Sequence, residues 1–274
     1  VGVLPFAGER LRKKVVIVPF ENTTFLSDEA VRQRFMDRLS GLLAEECDRV
    51  LWIQPEDPGY PEVLGRVPRL ASGRIDNLAL AEIGRGSGIN AFLLGNVASI
   101  DAEEKEKGIL MFRDIHYFES TQIGFQLYDT GTGAKLMDES IKASTEVDGA
   151  EFDAIIAKDL PAMYELDQTL ERIASEGAEK VCDSLGKHPW QGFVVAVQDD
   201  AVTLSAGRET GITVGDVLKV YGVGEVVEGK FGQRFVIPGP PAGEIEITSV
   251  ADGRSEARLL DGAEAVEGAV VKLD

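Results

Sequence analysis

Basic side chains, cysteine, histidine and long apolar runs are all scarce in this sequence. Its 28 Lys and Arg face 47 Asp and Glu, a formal net charge of −19. Such a surface repels phosphate backbones, so the expectation is no nucleic-acid partner in the absence of a local basic patch. The one basic run, ERLRKK at residues 9–14, reads as part of a solvated N-terminal tail over residues 1–14. No apolar run reaches the roughly 18 residues of a spanning helix. The first residues lack the segments of a signal peptide. The only two cysteines, Cys47 and Cys182, cannot by themselves make a four-ligand zinc site. Both fall on predicted helices, where buried free thiols are the first expectation and a disulfide the alternative. The two histidines, His116 and His188, are far apart in the chain, so the sequence spells out no Ser-His or Cys-His pair.

What is present is periodicity. VVIVPF (15–20) is short and β-branched, the pattern of a buried strand. Ser27 offers a helix N-cap, and Val31, Phe35, Leu39, Leu42 and Leu43 recur at helical spacing through Glu46. RVLWIQ (49–54) predicts a second strand, and the Pro- and Gly-rich residues 55–73 a loop. A short helix over 77–85 and a third strand over 90–100 follow, with the charged DAEEKEKG (101–108) expected to turn the chain. Two alternating runs, 109–129 and 134–146, are joined by DTGTG, a hairpin signal. A long helix is predicted over 154–185, broken at Pro161. Beyond GKHP (186–189) short β-rich runs alternate with glycines, the texture of a small barrel or sandwich. The prediction is an α/β (α+β) mixed sheet with flanking helices over residues 15–187, its first strands parallel, and a smaller all-β barrel-like domain over 188–274.

The chemistry-bearing motifs are weak. GRGSG (84–88) ends a helix instead of opening one, so it reads as a glycine C-cap and not a phosphate loop. GVGEVVEG (222–229) fails the same test. Ser184 and Lys187 match a bare Ser-x-x-Lys pattern without its companion motifs. Asp199 and Asp200 read as a hairpin turn, Asn22-Thr23-Thr24 as a polar loop, and PGPP (238–241) as a stiff loop. No catalytic, cofactor-binding or metal-binding residue is assigned. Phe25 and Leu26 are the one candidate partner-contact patch, set against their reading as a staple for the next helix.

Three stretches carry a resemblance: VVIVPFENTT, GINAFLLGNVASI and IGFQLYDTGTGAKLMDES. Together they make residues 13–185 resemble the CsgG/LpoB/PelC-type family of periplasmic and outer-membrane lipoproteins. GFVVAVQDDAVTLSAGRETGITVGDVLKVY (192–221) resembles the C-terminal domain of the FlgT-type flagellar ring proteins. The resemblance implies a non-enzymatic envelope scaffold in the periplasm. It implies envelope-machine protein partners, self-association, and membrane contact only through a lipid anchor upstream of Val1. Arg113, His116 and Gln122 do not keep to one face of their strand, which weighs against a membrane-inserted hairpin. Two alternatives stand beside this expectation: a subunit of an outer-membrane secretion channel, and an enzyme acting on cell wall or polysaccharide through two convergent carboxylates.

Overall fold

The structure, a computed structural model, describes residues 10–24, 29–109, 112–159 and 165–273. The first part of the chain forms β1 (Lys13–Ile17), β2 (Glu21–Asn22), α1 (Glu29–Glu46), β3 (Val50–Ile53) and α2 (Asn77–Ser87). It continues through β4 (Ala91–Ile109), β5 (Phe112–Asp129), β6 (Lys135–Val147), α3 (Gly149–Ala157) and α4 (Leu166–Gly186). The sheet order is β3-β1-β4-β5-β6, with β2 alongside β4. β1 runs parallel to both neighbours, and β4, β5 and β6 form an antiparallel meander.

Alternation along the strands sorts the two faces of this sheet. Val15, Ile17, Leu93, Phe125 and Leu127 pack under α1 and α4, in a core where the Phe20, Phe35 and Phe125 rings meet. Val16, Val18, Phe92, Leu94 and Tyr128 lie on the opposite face, under Leu80 of α2 and Leu64 of the preceding loop. That loop includes one 3-10 turn, Glu62–Gly65. Asp76 caps α2 by accepting the Ala79 N–H, and Gly88 closes it in the left-handed region at φ 68°. The glycine C-cap expected at GRGSG is therefore what the structure shows.

The remaining strands are β7 (Gly192–Gln198), β8 (Ala201–Leu204), β9 (Val217–Tyr221), β10 (Glu225–Glu228), β11 (Arg234–Ile237), β12 (Pro241–Val250), β13 (Ser255–Leu259) and β14 (Val270–Lys272). Six of them close an antiparallel barrel in the order β12-β13-β8-β7-β14-β9. Asp199 and Asp200 make the two-residue turn between β7 and β8, with Asp199 at φ 53°. β10 and β11 form a separate hairpin between β9 and β12.

Four expectations need correction. DAEEKEKG is not a turn: residues 101–108 continue β4, paired with β5 as far as Ile109↔Phe112. The helix predicted over 154–185 is two helices. Asp148 caps the first by accepting the Glu151 N–H, and Lys158 ends it at φ 61°. Pro161 lies outside the described residues. The described part of the basic run, residues 10–14, is not a solvated tail: Arg12 is exposed, but Leu11 is buried in the barrel core and Lys13 and Lys14 belong to β1. Cys47 and Cys182 are not free: a disulfide joins the end of α1 to α4, with Cα atoms 5.4 Å apart.

One buried group has a measurable consequence. Glu119 of β5 is fully buried, with Thr121 donating to one carboxylate oxygen and the other oxygen without a hydrogen-bond partner among the described residues. Burial raises its pKa, Thr121 and Thr169 oppose that by hydrogen bonding, Glu151 adds to it, and Arg172 opposes it. The folded protein thus holds this proton more tightly than the unfolded chain does. The stability it supports is full below the ordinary glutamate value of 4.5 and falls as pH rises through the folded-state value. Glu103 acts oppositely and only below 4.5, since hydrogen bonds from Lys142 and Lys105 lower its pKa to about 2. Glu119→Gln is expected to flatten the decline above 4.5. Urea unfolding midpoints of both proteins from pH 4 to 8 check this; parallel curves would refute it.

Candidate binding cleft

The face of the sheet under α2 is only partly covered. Where cover ends, an open cleft of about 590 Å³ lies over β4, β5 and β6. Its floor follows from strand alternation: Leu94 and Asn96 of β4, Gln126 and Tyr128 of β5, and Asp138 of β6 share one face. Gly124 keeps the floor open at Asn96, because a Cβ there would sit 2.6 Å from the Asn96 Oδ1. One wall is the loop bearing Arg69, Arg74 and Ile75, and Glu21 and Thr23 stand at the end of the parallel strands.

The other wall comes from the second half of the chain. The β10–β11 hairpin reaches back, and its tip places Phe231 and Gln233 on the cleft. Arg234 and Val236 fix it there. Asn77 donates to the Gly133 carbonyl at 2.9 Å and to the Arg234 carbonyl. The Arg234 guanidinium pairs with Asp76 at 3.2 Å, and the Val236 N–H donates to the Thr132 carbonyl. The DTGTG turn is thus a joint as well as a hairpin. Asp129 caps it by accepting from the Thr132 N–H at 2.7 Å, while Arg85 donates to the Thr130 and Gly131 carbonyls.

The charges of the cleft are mostly spoken for. Glu21 pairs with Arg69, which also donates to the Gly73 carbonyl at 2.7 Å. Lys135 pairs with Asp138 at 2.7 Å and lies over the Tyr128 ring at 5.6 Å. Gln126 bridges them, donating to Asp138 and accepting from the Tyr128 hydroxyl. Burial raises the pKa of that hydroxyl, against the pull of Lys135. Arg74 stacks on Phe231, its guanidinium carbon 4.4 Å from the ring centroid. Phe231 is 71% exposed and held at φ 68°, where a side chain other than glycine is strained. An arrangement of paired carboxylates, exposed aromatic surface and amides can bind; it places each cleft carboxylate against a cation instead of a substrate.

Of the residues singled out by sequence, Thr23 of the Asn22-Thr23-Thr24 stretch reaches the cleft, while His116, His188, Ser184 and Lys187 do not line it. Phe25 and Leu26 lie outside the described residues. His116 faces Glu146 at 2.5 Å on the outer part of the meander. The His188 Nδ1 is 2.9 Å from the Ser184 carbonyl, and the Ser184 hydroxyl turns to the Leu136 carbonyl, not to Lys187. Arg74, Tyr128, Asn96 and Phe231 went unpredicted as site residues. The signal available for one of them is GKFG (229–232), an aromatic residue in a glycine-flanked turn.

No family model and no curated protein matches this sequence. Several solved structures are similar to part of this chain. One is a hypothetical protein of Chlamydia trachomatis, with 12% identity over 65% of this chain and 99% of that one, and a TM-score of 0.42. Another is a minor lipoprotein of Acinetobacter baumannii, with 9% identity over 63% and 94% of the two chains and a TM-score of 0.33. A third is the PelC dodecamer of Paraburkholderia phytofirmans, with 12% identity over 61% and 86% and a TM-score of 0.33.

Proposed function

We propose that this chain is a non-enzymatic binding and assembly subunit of the bacterial cell envelope. It works in the periplasm, held near the outer membrane by a lipid anchor upstream of Val1. The units at 15–187 and 188–274 recognise a partner jointly, and copies of the chain associate with one another. The observation that carries this reading is the cleft, because both halves of the chain build it and its carboxylates are already paired with cations. The Cys47–Cys182 disulfide supports the compartment, since such bonds persist where the surroundings are oxidising.

The test has two arms. Cells expressing the full-length protein are fractionated by osmotic shock and the fractions run on non-reducing gels. The disulfide-bonded form is expected in the periplasmic or outer-membrane fraction; a reduced, cytoplasmic pool would refute the location. A photo-crosslinking residue is then placed at Gln126 in the cleft and, as a control, at Lys272 on the barrel. Discrete products with envelope proteins from Gln126 alone are expected. Equal or absent products at both positions would refute the cleft as the recognition site. Light scattering over a concentration series measures self-association, and a monomer throughout would remove that part of the proposal.

A further inference from the structure

Three cations, Arg69, Arg74 and Lys135, line the cleft against two carboxylates, Glu21 and Asp138. A local excess of positive charge is unexpected on a chain of net charge −19. The excess resides on Arg74. Arg69 and Lys135 have carboxylate partners, whereas among the described residues Arg74 has only the Phe231 ring. Stacking on an aromatic face leaves the in-plane N–H groups of a guanidinium available, the geometry that takes a carboxylate in a bidentate pair.

The rest of the cleft suits hydroxyl groups. The amides of Asn96 and Gln233 make no side-chain hydrogen bond among the described residues, and each offers both donor and acceptor capacity. Phe231 adds an exposed apolar ring for the C–H face of a sugar. An extended peptide is a poorer match. Strand addition needs a free sheet edge, but this floor is a sheet face whose backbone groups are used in the β4–β5–β6 ladders. The volume, about 590 Å³, falls in the usual range of small-ligand sites, roughly 300–1,000 Å³.

The geometry points to a short acidic saccharide as the ligand of this cleft: Arg74 binds a sugar carboxylate, Phe231 carries the ring, and Asn96 and Gln233 bind hydroxyls. This inference rests on the cleft being the recognition site proposed above, the saccharide being the part of the envelope partner that enters it.

The intact chain is titrated by calorimetry with trigalacturonate, with the neutral galactose trimer, and with hexaglutamate as an acidic peptide. Trigalacturonate is expected to bind, and both other probes about tenfold more weakly or worse. Arg74→Gln is expected to weaken trigalacturonate binding by about tenfold or more. Phe231→Gly should weaken it too while leaving the thermal midpoint unchanged or higher, because glycine relieves the positive φ. That second variant separates lost binding from lost folding. No binding of trigalacturonate at roughly 1 mM overturns the inference. So does equal binding by the neutral trimer, by hexaglutamate, or by Arg74→Gln. If crosslinks from Gln126 persist while trigalacturonate fails, the ligand class falls and the recognition site stands.

Discussion

Replacing Cys47 and Cys182 together by alanine is expected to lower the unfolding free energy by about 3–5 kcal/mol. The bridge spans 135 residues. A loop that long, closed in the unfolded chain, removes conformational freedom equivalent to about 5 kcal/mol in the chain-entropy account. The figure is an upper value, since unfolded chains retain some structure. The bridge also ties the last turn of α1 to α4, the two helices that cover one face of the sheet, and Cys47 itself is buried in that core. By contrast the ion pairs between these helices, Arg34–Asp167 and Arg38–Glu171, join side chains more than half exposed and contribute little. Urea unfolding with and without dithiothreitol checks the prediction. Reductant should shift the native protein's midpoint to near that of the double variant and leave the variant unmoved. Coincident midpoints for all four samples would mean the bridge does not form.

How much of this was legible in the sequence depends on whether a residue's neighbours in space are also its neighbours in the pattern. β1 and β3 could be read because both are short apolar runs, and the DTGTG turn because Asp129 and Gly133 have the chemistry the turn requires. The outer half of the β4–β5 meander was missed for a physical reason. Past Tyr117, β5 loses β6 as a partner, and Lys105, Glu106 and Lys107 are all exposed. With no buried side, no period-two hydrophobic signal is written there. Its charges instead pair across strands, Lys142 with Glu103 and Lys107 with Glu146, and Lys105 and Lys107 lie over Phe118. The cleft was hidden for a different reason. Its residues come from Glu21, the 69–75 loop, three strands and a hairpin more than 200 residues downstream of Glu21. No local motif spans that distance, and the arginine that matters is one of many charged residues until the fold stacks it on Phe231.

Phe125→Ala is expected to cost about 3–5 kcal/mol, the usual penalty for emptying a buried aromatic site. The ring is fully buried, with its centroid 5.4 Å from that of Phe20 and 6.2 Å from that of Phe35. It also presses on α4 at Gly177, where a Cβ would sit 2.5 Å from the Phe125 Cζ. This contact predicts a reversal of sign. In the native background Gly177→Ala should destabilise: helix propensity favours alanine by about 1 kcal/mol, but overpacking costs about 1–3 kcal/mol. Phe125 cannot yield, because Phe20 and Phe35 hold its ring. In the Phe125→Ala background the obstacle is gone and the same substitution should stabilise by about 1 kcal/mol. A double-mutant cycle on unfolding free energies measures the coupling. Additive effects would show that α4 does not approach the sheet this closely. The reversal would locate the reason for a glycine in the middle of a long helix: the helix contributes no side chain at that turn so that the aromatic cluster can reach its backbone.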